Sequence, residues 1–482
     1  MNYIYSLLKN NVNSSGHFID EKNRWSYFEF NEIVIEQAKK LKKYGVSKGS
    51  KVAIVLDNRP LEFVKMFFAI AYLDAIPFPI YTNSGEDKIV NIINYYEIDY
   101  ALGCFRKTGE LWNVYDFNSY SIVKTNNPVK DDINPETNLV LFTSGTTSMP
   151  KAIMLSEKNL RTNVEGISEY LSLKKDDRIF ILKNLNHSST IVGEMMMGLF
   201  NGVDLYFTNK IYTINNVEKT IRDNKITVLF AVPTIIKSIL EKGKTEDYSS
   251  LRILNFYGGK LGEKDIKRLC NMMSNCEIVY SYGLTEAAPR VTYIKKKDQL
   301  THLGSSGKCI RNVKLYIIND DAELPPGEIG QIVVEGDNVM LGYYKNPLKT
   351  AKTIIDGKLY TGDLGYKDKD GFLYVVGRND NMFIYSGKNV YLEEIESTIM
   401  AYPGVLESLV APMYNDDEIV GFKSYIVMKE KETFDYKNMF SYCLKNIELY
   451  KVPKEIVVVD EFEKTASGKI KRNQSFIVDN MK

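Results

Sequence analysis

Three observations predict an α/β fold with a large amino-terminal part and a smaller carboxyl-terminal one. Short apolar runs alternate with stretches of helical periodicity over residues 52–273, the pattern of parallel βαβ units. From about residue 303 to 376 the texture changes to short alternating runs between Gly, Pro and Asp clusters, a mainly β segment. After Gly377, Arg378, Asn379, Asp380 and Asn381 helix and strand patterns mix again. A domain boundary is expected at about 378–381, giving domains 1–379 and 380–482.

The elements follow in order. Residues 52–56 form a continuous apolar run, the mark of a buried strand. Residues 59–73 have helical periodicity and residues 76–81 read as a strand. The same pairing recurs at 178–182 with 190–199, at 228–232 with 235–241, and at 251–256 with 263–273. Residues 313–318 and 331–335 alternate apolar and polar positions, as half-buried strands do. The most apolar segment, 63–81, is broken by Lys65, Asp74, Pro77 and Pro79. Its uncharged stretch, 66–73, falls far short of the ~20 residues that cross a bilayer. It reads as a core helix and a strand, so no membrane span is expected.

Composition narrows the function. A chain of 482 residues with 44% hydrophobic and 26% charged residues buries a full core and is neither disordered nor collagenous. Lys plus Arg number 62 and Asp plus Glu 61, so no global basic field for nucleic acid exists. Five scattered cysteines without C-x-x-C, and three histidines, argue against zinc or a disulfide framework. With no signal-like apolar stretch at the start, a cytoplasmic location is the expectation.

The densest chemical signal runs from Leu141 to Lys151. An apolar run leads into Thr143, Ser144, Gly145, Thr146 and Thr147, then Ser148, Pro150 and Lys151. Hydroxyls and unencumbered N–H groups can wrap phosphate oxygens, and a lysine adds a point charge. A Walker loop would need Gly at 150 and Ser or Thr at 152, where this chain has Pro150 and Ala152. Taken alone, the segment reads equally as a phosphate grip or a solvated Ser/Thr turn. Further segments carry glycines, hydroxyls and single charges: Gly258-Gly259-Lys260, Tyr282-Gly283-Leu284-Thr285-Glu286, Tyr360-Thr361-Gly362-Asp363-Leu364-Gly365 and Thr465-Ala466-Ser467-Gly468-Lys469. Each by itself is a turn or a basic tail as readily as a site.

In this order the segments resemble the motifs of the adenylate-forming superfamily: acyl- and aryl-CoA ligases, nonribosomal adenylation domains and luciferases. Residues 143–152 resemble T-S-G-T-T-G-x-P-K-G, with Ser148 and Ala152 in place of glycines. The resemblance covers about residues 27–472. It implies a large amino-terminal domain of α/β sheets with a small β-barrel, and a small mobile α+β domain after the hinge residue Asp380. It gives Thr143, Ser144, Gly145, Thr146, Thr147 and Lys151 to the phosphates of ATP. Tyr282 faces adenine, Gly258 and Gly259 line the adenine and acyl pocket, and Asp363 and Arg378 take the ribose. Thr285 meets the α-phosphate, and Glu286 holds Mg²⁺. Lys469 bridges the substrate carboxylate and the α-phosphate, offsetting charge as one anion attacks another. His187 lines the acyl pocket.

The implied reaction joins a small-molecule carboxylic acid to AMP with release of pyrophosphate. The acyl group then passes to a thiol of CoA or of the phosphopantetheine on a separate acyl carrier protein. Amino-acid-activating members carry an acidic residue early in the helix after His187, and residues 185–193 contain none, so an amino acid is not expected. Two other readings stand beside this one: a kinase or ATPase built on residues 143–151, and a non-catalytic acyl-nucleotide-binding protein. The motifs G-x-S-x-G, H-E-x-x-H and G-x-G-x-x-G do not occur.

Overall fold

In the computed structural model the first apolar run becomes the strand Lys51–Val55, buried along its whole length. Even Lys51 is 1% exposed. Its ammonium donates to Asp132 Oδ1 at 3.2 Å and to the Tyr344 hydroxyl at 3.1 Å, so the buried charge is paired. The structure describes residues 2–56, 59–82, 85–105, 113–117, 120–127, 132–143, 149–210, 213–385, 388–415, 418–429, 434–464 and 470–472.

The helix Pro60–Tyr72 follows, with proline in its first turn where no N–H is needed. The chain returns as Ile76–Pro79, parallel to Lys51–Val55. These two strands, Tyr100–Gly103 and the hairpin of Asn113–Phe117 with Tyr120–Lys124 make a five-stranded sheet. The segment 63–81 is therefore a helix and strand inside a core, and no described helix is long and apolar enough to cross a membrane.

The nine-stranded sheet carries the other expected units. Its spatial order is Lys308–Cys309, Arg290–Lys295, Glu277–Gly283, Ile253–Tyr257, Val228–Ala231, Arg178–Ile181, Asp204–Phe207, His17–Ile19 and Arg24–Ser26. From Glu277–Gly283 to His17–Ile19 the neighbours are all parallel. The helices Pro233–Lys242 and Glu263–Met272 fall where periodicity places them. The helix expected at 190–199 is more complex: an α-turn Ser188–Thr190, a π-helical stretch Ile191–Met196 and a last turn Met197–Phe200. A Cβ on Gly198 would lie 2.6 Å from Leu205 and 2.7 Å from Ile179, so the helix end sits directly on the sheet. Met195, Met196 and Met197 are fully buried there.

A third sheet pairs Thr137–Thr143 with Lys151–Ser156 and adds Gly342–Tyr343. Residues 303–376 are mainly β, as expected. The exception is the helix Pro347–Thr353, which buries no residue and so left no apolar stripe in the sequence. Where a small β-barrel is expected lies a six-stranded sheet: Ala322–Glu323, Val313–Asn319, Gly330–Gly336, Lys358–Lys367 and Ile354–Ile355, with Leu373–Arg378 on Lys358–Lys367.

By compactness the chain forms two units, Met1–Leu315 with Val334–Tyr360, and Tyr316–Val333 with Thr361–Lys482. In the second unit the helix Leu392–Met400 packs on the long hairpin of Val405–Asn415 and Glu418–Met428, with Glu455–Val458 parallel beside it. Val390, Ile395, Phe422, Ile426 and Met439 are the centre of its core.

Candidate active site

Parallel strands aim their carboxyl ends at one edge of a sheet, where ligands of open α/β folds bind. In the first unit three strands deliver predicted site residues to that edge. Arg178–Ile181 leads to His187, Ile253–Tyr257 to Gly258 and Gly259, and Glu277–Gly283 carries Tyr282 and leads to Thr285 and Glu286. The last two strands are neighbours, with Tyr257 opposite Ser281.

The glycines have steric causes. Gly258 has φ +82°, which a side chain disfavours. A Cβ on Gly283 would lie 1.9 Å from the carbonyl oxygen of Pro289. The chain leaves the strand and folds back so tightly that only glycine fits. That return forms the short turn Thr285–Ala287 and presents both functional side chains.

Thr285 Oγ1 lies 3.0 Å from Ser188 Oγ. His187, the residue before Ser188, is the extended N-cap of the helix that follows. Glu286 Oε1 accepts from the Tyr343 hydroxyl at 3.0 Å, and the Glu286 carbonyl accepts from Met340 N–H at 3.0 Å. The Lys151 ammonium lies 5.7 Å from the centre of the Tyr343 ring. Thr143 stands opposite Lys151 in the hairpin register. Thr143, Lys151, Thr285 and Glu286 thus belong to one constellation joined through Tyr343 and Ser188. Ser144, Gly145, Thr146 and Thr147 lie outside the described residues. Carboxylate and hydroxyl oxygens suit a hard divalent cation, and Lys151 suits phosphate.

Tyr343 and Ser188 were not singled out from the sequence. Their signal was faint: a tyrosine pair after Gly342, and two serines after a lone histidine.

In the second unit Asp363 stands opposite Arg378 across two antiparallel strands. Arg378 Nη1 donates to Asp363 Oδ1 at 2.8 Å and to the Thr361 carbonyl at 3.1 Å. The Thr361 hydroxyl accepts from Asp363 N–H at 3.0 Å and donates to the Ile332 carbonyl at 2.7 Å. Gly362, at φ +74°, leaves room for the guanidinium, which a Cβ would approach to 3.0 Å. Asp380 is 87% exposed at its side chain. Lys469 lies outside the described residues; its neighbour Ile470 pairs with Lys464.

A buried polar cluster lies beside the strand ends in the first unit. Glu194, in the π-helical stretch, is fully buried and accepts from the Tyr257 hydroxyl. Burial pushes the Glu194 carboxyl up to about 7, against the opposing pull of Lys183, the Tyr257 hydrogen bond and Arg290. Burial likewise holds the Tyr257 phenol well above its ordinary value. Lys183 Nζ and Arg290 Cζ lie 3.8 and 4.0 Å from the Tyr257 ring centre. Glu194 follows the acid-free residues 185–193, but it is fully buried, already accepts from the Tyr257 phenol, and keeps its proton up to about pH 7. It offers little to a substrate ammonium.

A family model described as AMP-binding enzyme matches residues 10–344, and one described as AMP-binding enzyme C-terminal domain matches residues 394–469. The chain is 28% identical over 462 residues to a 2-succinylbenzoate–CoA ligase of Bacillus cereus, covering 94% of this chain and 93% of the relative. The Bacillus anthracis ligase of that name is 28% identical over 461 residues, with the same 94% and 93% coverage. Among solved structures it is similar to the o-succinylbenzoate CoA synthetase of Bacillus subtilis in complex with its acyl-adenylate intermediate. There the TM-score is 0.85, with 23% identity and 98% of both chains covered. ATP-bound MatB of Rhodopseudomonas palustris gives a TM-score of 0.84, 23% identity and 98% coverage of both chains.

Proposed function

Because the chain belongs to the AMP-binding enzyme family, we propose that it activates an aryl acid of the o-succinylbenzoate type and transfers it to CoA. It is an adenylate-forming, acid–thiol ligase. The acid and ATP give an acyl-adenylate and pyrophosphate, and a thiolate then displaces AMP to leave the thioester. The curated relatives carry this substrate and CoA in their names over nearly their whole length, which favours CoA over a carrier-protein thiol. A family that leaves AMP does not favour the kinase alternative, which would leave ADP.

The observation that carries the reading is the bond from Tyr343 to Glu286, with Lys151 over the same ring. It supports one anion and one cation held together at a sheet edge, as a nucleotide with its metal requires. Glu286 is the proposed ligand for Mg²⁺, whose charge neutralises phosphate oxygens when it is bound. Thr143 and Lys151 hold phosphate oxygens together with Ser144, Gly145, Thr146 and Thr147. Thr285 donates its hydroxyl proton to the α-phosphate, oriented by Ser188. Tyr282 covers adenine and Gly258 and Gly259 line the acid's path, with His187 near the carboxylate. Asp363 offers acceptor oxygens to the ribose hydroxyls, with Arg378 holding its carboxylate in place. Lys469 offsets the negative charge that builds as the acid attacks.

The test supplies o-succinylbenzoate, MgATP and CoA and identifies every product by mass spectrometry. Pyrophosphate, AMP and the CoA thioester are expected. ADP, or AMP without any thioester, would overturn the reading.

A further inference from the structure

Lys51 opens a strand that is buried along its whole length. Taking an ammonium out of water is costly, and a buried ion pair adds little stability over well-packed apolar groups. A lysine at this place therefore calls for another account. Asp132 Oδ1 accepts from its ammonium at 3.2 Å and from the Tyr344 hydroxyl at 2.7 Å, and the ammonium donates to the hydroxyl oxygen at 3.1 Å. The triangle is closed: the phenol gives its proton to one partner and receives a proton from the other. Burial and the neighbouring Asp132 hold the Tyr344 phenol well above its ordinary value, so it stays a donor. Lys51 is itself fixed, since its backbone N–H donates to Asp99 Oδ2 at 2.7 Å.

Tyr344 stands where a fixed position matters. Its backbone N–H donates to the Ala152 carbonyl at 2.8 Å, directly after Lys151. Its buried ring stacks on Tyr96, with centres 5.9 Å apart, and the Tyr96 hydroxyl donates to the Pro150 carbonyl at 2.6 Å, directly before Lys151. Both chain neighbours of Lys151 are thus tied to Tyr344. Phe142, which precedes Thr143, and Met149 pack against the core cluster that contains Tyr344. The residue before Tyr344 is Tyr343, whose hydroxyl reaches Glu286 and whose ring lies beside Lys151. One buried phenol therefore stands behind both charged groups of the nucleotide site.

Resting on that site as proposed above, we propose that Lys51 is a positioning residue for MgATP. It pins Tyr344 from within the core, and through Tyr344 it sets where Lys151 meets the phosphates and where Tyr343 holds Glu286 for the metal. Lys51 touches no substrate. Its charge is kept in the core because an apolar residue would pack as well but would leave the Tyr344 hydroxyl one partner short.

The test is titration calorimetry of the full chain with MgATP and, separately, with AMP, no acid being present. AMP lacks the outer phosphates and their metal, so its affinity rests on the adenine, ribose and α-phosphate contacts. Lys51→Met keeps the bulk of the stem, and it should weaken MgATP ~10-fold or more, as loss of an outer partner does, while AMP stays near wild type. Tyr344→Phe removes only the hydroxyl, leaves Lys51 paired with Asp132, and should weaken MgATP by a similar factor. It decides the matter if Lys51→Met does not fold. Because Lys51 acts through Tyr344, the double variant should lose no more than the larger of the two single losses. Losses that multiply overturn the proposal. Unchanged MgATP affinity in either single variant overturns it as well, and so does an equal loss for MgATP and AMP, which marks mere structural damage. Glu286→Gln separates this inference from the site it rests on. If Glu286→Gln weakens MgATP and Tyr344→Phe does not, the site stands and the positioning role falls. If Glu286→Gln binds as wild type while Lys51→Met and Tyr344→Phe bind weakly, the metal role of Glu286 falls and Lys151 remains the group that Lys51 positions. A wild type that binds no MgATP overturns both.

Discussion

Glu286 is oriented through one oxygen by a phenol that brings no charge of its own. Glu286→Gln keeps the shape and removes the anion. Pyrophosphate release should fall ~10²-fold, and half-saturation by Mg²⁺ should move to higher concentration. Tyr343→Phe should raise the Mg²⁺ requirement about tenfold, as loss of an outer partner does. Titrations of both variants with Mg²⁺ check this, and an unchanged requirement in Glu286→Gln would remove the metal role. Glu194 makes a different point. A glutamate ordinarily ionises near 4.5, and burial moves this one to about 7. Between those values the folded chain holds a proton that the unfolded chain has released, so stability falls as pH rises through the window. The full effect is roughly 3 kcal/mol. Glu194→Gln should therefore gain melting temperature relative to wild type between about pH 5 and about pH 8. Glu396, raised to about 7 in the same way, contributes equally to both proteins and cancels in the difference. Parallel curves would show that Glu194 stays ionised in the fold.

At the scale of elements, the turn after Glu277–Gly283 sets where Thr285 and Glu286 stand. Its tightness rests on Gly283, whose missing side chain leaves room for the Pro289 carbonyl. A backbone oxygen cannot rotate away as a flexible side chain can. Gly283→Ala should cost ~2 kcal/mol or more in urea unfolding. It should also reduce pyrophosphate release at temperatures where the variant is still folded, because the turn must move. Gly262→Ala, where nothing lies within 4 Å of the new Cβ, should leave stability near wild type. Equal stability of the two variants would show that the return at Pro289 has slack. The helix after His187 was legible as a helix from residues 190–199, but not as a π-helical one. Hydrophobic spacing marks a buried face, whereas the extra residue per turn depends on how Ile191–Met196 packs.

For the whole molecule, the compact second unit draws in Tyr316–Val333 from the middle of the chain, whereas the composition change in the sequence lies at 378–381. We propose that the swing between the two half-reactions occurs at Asp380, an exposed residue in the short turn Asn379–Asn381. Proline there would fix φ near −65° and remove an N–H. Asp380→Pro should retain adenylation and lose ~10-fold or more of thioester formation. Lys469→Ala should do the reverse, losing adenylation while still accepting supplied acyl-adenylate. Single-turnover assays of each half-reaction distinguish them. Equal loss of both steps in Asp380→Pro would place the hinge elsewhere.

The sequence by itself determined the α/β class, the run of parallel units and the order of the site motifs. Each of these is written locally, in apolar periodicity over a few residues or in small, hydroxylated and charged residues at fixed spacing. Lys51–Val55, Pro60–Tyr72 and Ile253–Tyr257 fall where their patterns put them because burial of a strand or helix face constrains every residue in it. Only the tertiary structure decided that Tyr343 holds Glu286, that Ser188 meets Thr285, and that Lys183, Glu194, Tyr257 and Arg290 share one buried cluster. Those partners lie tens to hundreds of positions apart, and a lone tyrosine, serine or arginine carries no periodicity. Their meeting depends on strand order and on how tightly the chain returns at Gly283, which residue spacing does not encode.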